Sequence, residues 1–431
     1  DGRYALAKEW TPPSGPVPFN PEGSTRVTLA TLPGVKQHRC LLFNVGDALV
    51  VRNYDAASTS EPIRILCFPG TFVTCHAHRP CPASSPDARD LLLGLANGEV
   101  HCVSLRGLIR EGGRGPSRTL PSGSLKFNSD GGGGCGGSAV AKSAHLANAP
   151  RCNDVAWNPK APSVCATVGA DGCVKVFDAA SRSQLAVANV TGGIGPSGRA
   201  HEYGGAKRLH FSPDGKLLAV GLGDGRVKVL DARTLAFVTE AQACGGGIDR
   251  VAGDLVSAKG ARVSCLAFSP DSTLLAVAGA DRLVHVYANV DGKFTSITTC
   301  AGHSTTINSL DWSRDARILR STCQNMESLC WNVPSGKPRG ADVRDVRWHT
   351  HTALVGFPVM GMWEDGHGAA SDINTADRSR GGAHLATGDD RGDVRLLHYP
   401  CVAKGAPCRR HSRAHSSHVR CVLYKSVSPI A

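Results

Sequence analysis

Two clusters of thiol and imidazole side chains are the residues best suited to metal chemistry: Cys75, His76, His78 and Cys81, and Cys401, Cys408, His411, His415 and His418. Zinc in a structural site needs four such ligands converging as a tetrahedron. In the first cluster, strand alternation would send Cys75 and His76 to opposite faces. In neither cluster does the spacing match the usual finger patterns, so no metal is assigned. Segments GGRGPSRT and GLGDGR lack the Gly-Lys-Ser/Thr ending with which a phosphate loop holds its ligand. The chain also has no H-E-x-x-H helix and no G-x-S-x-G elbow. These readings imply a non-enzyme with no catalytic residue, no cofactor and no small-molecule substrate.

Charge points to macromolecular partners instead. The formal net charge is +12, which draws in acidic partners and makes their binding salt-dependent. The longest acid-free basic stretch, APCRRHSRAHSSHVRCVLYK, offers Arg409, Arg410, Arg413, Arg420 and Lys425 as partner-binding residues, with a solvated basic face as the alternative. No RRM-like aromatic strand, zinc finger or recognition-helix pattern accompanies that charge, so nucleic acid ranks below protein as a partner. The 17 Cys, an odd number without a C-x-x-C pair, read as reduced, buried thiols of an intracellular protein. No run of about 18 apolar residues exists to span a bilayer, and the opening DGRYALAKEW lacks the order of a secretion signal. A soluble protein without membrane contact is expected, and a chain beginning at Asp1 is compatible with a fragment of a longer one.

The elements that carry these residues recur. With 50 Gly, 25 Pro and only 5% aromatic residues, the chain favours many turns and short strands in an all-β fold. LHFSPDGKLLAVGLGDGRVKVLD (209 to 231), LAFSPDSTLLAVAGADRLVHVYA (266 to 288) and LDWSRDARILRSTCQNMESLCWN (310 to 332) align without gaps. From Phe211 to Asp231, Phe268 to Ala288 and Trp312 to Asn332 the separation is 20 residues each time. Further copies run from Trp157 to Asp178 and up to Tyr399. Each reads as a strand, a turn, a small-residue strand, a tight turn and an alternating strand. A four-stranded unit recurring every 40 to 45 residues or so is the period of a propeller blade. Middle-strand pairs near 39 to 54, 91 to 105, 163 to 178, 216 to 231, 273 to 288, 317 to 332 and 383 to 399 predict a seven-bladed β-propeller of four-stranded antiparallel blades over 25–424. An N-terminal extension (1–24), a tail (425–431) and mobile Gly-rich loops at 112–124, 130–148, 191–201 and 243–254 complete this division. The strand VRCVLY (419 to 424) either overlaps an N-terminal strand to close the ring or opens a further blade.

The blades resemble the WD-repeat family, although the W-D dipeptide is degenerate, reading FD, LD, YA, WN and HY. That resemblance implies a hydrogen-bonded structural lattice of Asp171, Asp224, Asp281 and Asp390 in the tight turns with His303 and His415 ahead of the next strands. In GFPVMGMWEDG, Phe357, Val359 and Trp363 would face one side of a strand and Met360 and Met362 the other, which predicts a strand buried on both faces. This stretch, with SDINTADRS, LATGDDRGDVRLLHYPC, GAPC and AHSSHV in order, resembles the C-terminal propeller of the echinoderm microtubule-associated protein-like family. The likeness spans roughly residues 300 to 424 and already accounts for Cys401, Cys408, His415 and His418. It implies a cytoplasmic, cytoskeletal WD-repeat scaffold, microtubule or ciliary, whose partner is tubulin or an assembly on microtubules. The family's hydrophobic motif and heptad coiled coil are absent from this sequence. LLFNVGDALVV, GTFVTCHAH and DLLLGLANGEVHCVSL are similar, more faintly, to WD-repeat cofactors that activate ubiquitin-specific proteases, which supplies the alternative function.

Overall fold

The computed structural model describes residues 26–32, 38–45, 47–53, 62–79, 90–111, 116–127, 151–191, 205–244, 262–290, 293–339, 343, 345–363, 373–379, 382–403, 405–411, 419 and 421–425. These residues build seven sheets, one per blade of a β-propeller. The third blade shows the pattern: Cys152–Trp157, Val164–Gly169, Cys173–Asp178 and Ser183–Asn189 pair in chain order, each antiparallel to the last. The fourth and fifth repeat it, beginning at Ala206–Phe211 and Val263–Phe268. In the second blade a short helix, Leu105–Arg110, is inserted before the outer strand Leu125–Phe127, and Ser104 Oγ caps it by accepting from Gly107 N at 3.1 Å. The seventh comprises Ile373–Arg378, His384–Asp389, Val394–His398 and Cys408–His411. The sixth has three paired strands, Ile307–Trp312, Ile318–Cys323 and Ser328–Asn332.

The ring closes through the chain's two described ends. Cys421–Lys425 lies parallel to Arg26–Leu32, in register from Arg26↔Cys421 to Ala30↔Lys425, inside the first blade's sheet. Of the two endings left open by the sequence, the overlap with an N-terminal strand is the one formed. The same sheet takes Pro116–Ser117 as a short parallel partner of Arg64–Cys67, so part of the segment read as a loop at 112–124 runs along a sheet edge. Leading strands of blades two to six pack against one another, and Cys421–Lys425 packs against the seventh.

Apolar residues of the small-residue strands fill the space between blades. Leu218, Ala219 and Val220 are wholly buried, as are Ala276, Val277 and Ala278. At the end of two leading strands, Trp157 and Trp312 donate from Nε1 to the Ala77 and Ala267 carbonyls of the preceding blades, at 3.2 and 3.0 Å. Each indole thus buries a large apolar area while its only donor is satisfied. The Ser-Pro-Asp turns at Ser212 and Ser269 and the Ser-Arg-Asp turn at Ser313 repeat one device: each Ser Oγ accepts the amide five residues on, at 2.9 Å. Tight turns between the middle strands need a left-handed residue, supplied by Gly172 at φ +73° and Gly225 at φ +85°.

The stretch expected as a doubly buried strand is instead a 3-10 helix, Phe357–Met362. Val359 and Met362 are buried, while Phe357 and Met360 are 47% and 58% exposed. Among the side chains, Val359 and Met362 turn inward and Phe357 and Met360 outward, three residues apart in each case as a 3-10 helix requires, and Gly361 is buried beside them. Pro358 has no amide to give a sheet and fits the first helical turn. Gly356, at φ +151°, makes the entry bend.

Candidate protein-interaction site

Three of the four turn aspartates form one local arrangement. Asp171 Oδ1 accepts Cys173 N at 3.0 Å, Asp224 Oδ1 accepts Arg226 N at 3.1 Å, and Asp281 Oδ1 accepts Leu283 N at 3.3 Å. Asp224 also holds the Arg226 guanidinium, and Asp281 lies 2.7 Å from His285 Nε2. Asp390 differs: its Oδ1 accepts from Asn374 Nδ2 at 2.6 Å, and the turn amides of Arg391 and Asp393 go to Asp389, one residue earlier. His303 Nε2 lies 2.7 Å from Ser321 Oγ, which accepts Trp331 Nε1 at 2.8 Å. His415 lies outside the described residues.

Residues 345–363 form a strap from the sixth blade towards the seventh, anchored on a buried charge. Asp311 and Arg320 are cross-strand partners, 1% and 4% exposed, with Arg320 Nη2 donating to Asp311 Oδ2 at 2.8 Å. The carboxylate also accepts Thr350 Oγ1 and Thr352 N at 2.8 Å and Ala353 N at 3.1 Å. Arg320 lies over the Trp348 ring, 4.2 Å from its centroid, and donates to His351 Nδ1 at 3.1 Å. Arg378 of the seventh blade donates to the Trp348 carbonyl at 2.7 Å and covers Tyr399. The strap ends by exchanging amide bonds with the seventh blade, Gly361 N to Cys401 O at 2.7 Å and Cys401 N to Pro358 O at 2.9 Å. Burial is the largest single influence and alone would raise the Asp311 pKa, but the Arg320 charge and the hydrogen bonds from Arg320 and Thr352 together outweigh it and hold the carboxyl low. Burial, reinforced by the same guanidinium, pushes His351 down and keeps it neutral.

Asp311, Arg320 and His351 were not singled out from sequence, although a signal existed. The aligned copies carry His210 and Ala267 in place of Asp311, and Ala219 and Ala276 in place of Arg320. Opposite charges entered at two facing positions of one repeat.

Of the basic stretch, Arg409 and Arg410 lie exposed on the outer strand of the seventh blade. Arg410 pairs with Asp393, Nε at 2.8 Å and Nη2 at 2.5 Å. Arg409 lines an open groove of about 340 Å³ with His384, His398, Pro407 and Cys408. Arg413 and Arg420 lie outside the described residues, and Lys425 is described only as part of its strand. Among the described residues, Cys75, His76 and His78 of the first thiol and imidazole cluster are not drawn into one group: Cys75 Sγ lies 3.8 Å from Cys152 Sγ of the third blade, and His78 Nε2 lies 3.5 Å from Asp90. Cys81 is outside the described residues. In the second, Cys401 is buried against the strap and Cys408 is exposed, while His418 lies outside the described residues and His411 is described only as part of its strand.

Residues 154–428 match the family described as the echinoderm microtubule-associated protein second β-propeller. The chain belongs to this family. It is 32% identical over 229 residues to the 77 kDa echinoderm microtubule-associated protein of Strongylocentrotus purpuratus, covering 52% of this chain and 31% of that protein. Echinoderm microtubule-associated protein-like 1 of Mus musculus is 36% identical over 220 residues, 50% of this chain and 25% of its own length. The chain thus spans less than a third of the relatives it matches. The matched span begins in the leading strand of the third blade, so the first two blades precede it. Among solved structures, the computationally designed Ika8 protein superposes with a TM-score of 0.51 at 16% identity, covering 93% of this chain and 90% of that one. The C-terminal WD40 domain of Sif2 gives 0.50 at 14%, with 87% and 82% covered. These two show the shared fold alone.

Proposed function

We propose that the chain is a rigid, non-enzymatic WD-repeat scaffold that associates with microtubules, or with an assembly on them, in the cytoplasmic cytoskeleton. The observation that carries this reading is membership of the echinoderm microtubule-associated propeller family over residues 154–428, a span that includes the whole strap. The net charge of +12 complements the acidic surface of tubulin. Arg409, Arg410, Arg413, Arg420 and Lys425 are proposed as the contact, with the exposed outer strand of the seventh blade as its core.

Co-sedimentation with stabilised microtubules at two salt concentrations tests this. Pelleting is expected to weaken as salt rises, since cationic contacts release counterions and are screened. Charge reversal at Arg409 and Arg413 should lower binding and flatten that salt dependence. Intact chain that stays in the supernatant at low salt overturns the reading. Capture of a ubiquitin-specific protease by such non-pelleting chain would favour the adaptor alternative.

A further inference from the structure

The loop entering the sixth blade and the tight turn between its second and third strands bring together a thiol, an imidazole and a carboxylate. Cys323 Sγ lies 3.2 Å from Glu327 Oε2, and His303 Nδ1 lies 3.6 Å from the same oxygen. One ligand atom from each of the three lies within 4.8 Å of the others. A tetrahedral zinc ion with Zn–S of about 2.3 Å and Zn–N and Zn–O of about 2.0–2.2 Å has ligand-to-ligand edges of about 3.4–3.6 Å. The two measured edges are within a few tenths of an ångström of that.

The imidazole is the second observation. The His303 side chain is fully buried, and its Nδ1 is aimed at this trio without a hydrogen-bond partner, because 3.6 Å is beyond bonding range. A buried polar nitrogen left without a partner is costly. On the far side of the ring, Nε2 lies 2.7 Å from Ser321 Oγ. Ser321 Oγ has lone pairs for both the Trp331 and the His303 N–H, and the tautomer with hydrogen on Nε2 turns the Nδ1 lone pair towards Cys323 and Glu327. A ligating histidine held through its other nitrogen is the usual arrangement around zinc. The carboxylate is fixed as well: Ser304 donates to it from N at 2.8 Å and from Oγ at 2.7 Å. Those bonds hold Glu327 ionised, its pKa brought down to about 2. Its side chain is 37% exposed, which gives an ion a way in.

We infer that His303 Nδ1, Cys323 Sγ and a Glu327 carboxylate oxygen form a binding site for a borderline-soft divalent cation, with zinc the best fit and water in the fourth position. Thiolate and imidazole select zinc over magnesium or calcium, which take oxygen ligands. Binding displaces the thiol proton to solvent, and neither oxidation nor reduction is involved. The ion would tie the 302–304 loop to the 323–327 turn of the same blade, a role separate from any microtubule contact.

The test uses the intact chain, stripped with a chelator and then titrated with zinc or cobalt. Wild type should take up one molar equivalent tightly, with a thiolate-to-cobalt charge-transfer band, and its melting temperature should rise with zinc. Cys323→Ser should lose that band, and Glu327→Gln should weaken zinc uptake at least about tenfold. Circular dichroism must show both variants folded. Cys408→Ser, which removes the exposed thiol elsewhere, should bind as wild type does. Wild type that binds no stoichiometric metal, or Cys323→Ser that keeps the thiolate band, overturns the inference.

Discussion

Asp311 concentrates more hydrogen bonds than any other side chain of the sixth blade described above, and its worth can be read by removal. Arg320 is 4% exposed, and Asp311→Ala would leave its charge buried without a carboxylate. Breaking such a pair costs about 3–5 kcal/mol, to be measured by urea unfolding. Replacing both residues by leucine should cost less than Asp311→Ala alone, because no orphan charge then remains. A loss under about 1 kcal/mol for Asp311→Ala would mean that water reaches the guanidinium.

The buried histidines set the pH response. Burial lowers His351, and it lowers His101 against the opposing pull of Glu99. Since the folded-state pKa lies below the unfolded one, the unfolded chain takes up the proton first as pH falls. Stability is then full above about pH 6.5 and declines below it, by about 1.4 kcal/mol per pH unit for each fully suppressed histidine. His351→Asn should remove one such contribution from the slope between about pH 6 and 5. An unchanged slope would place the titration elsewhere. Asp311, also held low, adds its share only in stronger acid, as pH falls from the ordinary carboxylate value through its own.

Among elements, the paired strands were legible and the strap was not. Twenty-residue spacing in copies such as Phe211 to Asp231 reflects a covalent period that tertiary contacts leave unchanged. Over Phe357–Met362 an alternating reading meets a segment that buries Val359, Gly361 and Met362 and exposes Phe357 and Met360, and Pro358 is the available warning. Cross-element contacts such as Arg320 to His351 were also illegible, because they join residues 31 positions apart with no repeat to expose them. At Asp171, Asp224 and Asp281 the turn carboxylate accepts the amide two residues on, whereas in GDDRGD, which offers two aspartates, that role falls to Asp389 and not Asp390. A Cβ on Gly361 would fall onto the Ala403 carbonyl. Gly361→Ala should therefore destabilise the protein by about 1–3 kcal/mol and open residues 345–363 to limited proteolysis. Met360→Ala, at an exposed site on the same helix, should change stability by less than about 0.5 kcal/mol.

For the whole molecule, the decisive bond is the pairing of Arg26–Leu32 with Cys421–Lys425. Deleting 421–425 would leave a sheet edge unpaired between the first and seventh blades, and such edges recruit other chains. Lower thermal stability and a rise in light scattering are expected, whereas a monomer that melts like the intact chain would show closure to be dispensable. Parallel pairing has a mechanical corollary. Arg26 faces Cys421 at one end of the ladder and Ala30 faces Lys425 at the other, so the chain enters and leaves this sheet at opposite ends. Tension drawn through those two points along a filament would load the ladder's hydrogen bonds in shear, all together, and not unzip them singly from one end.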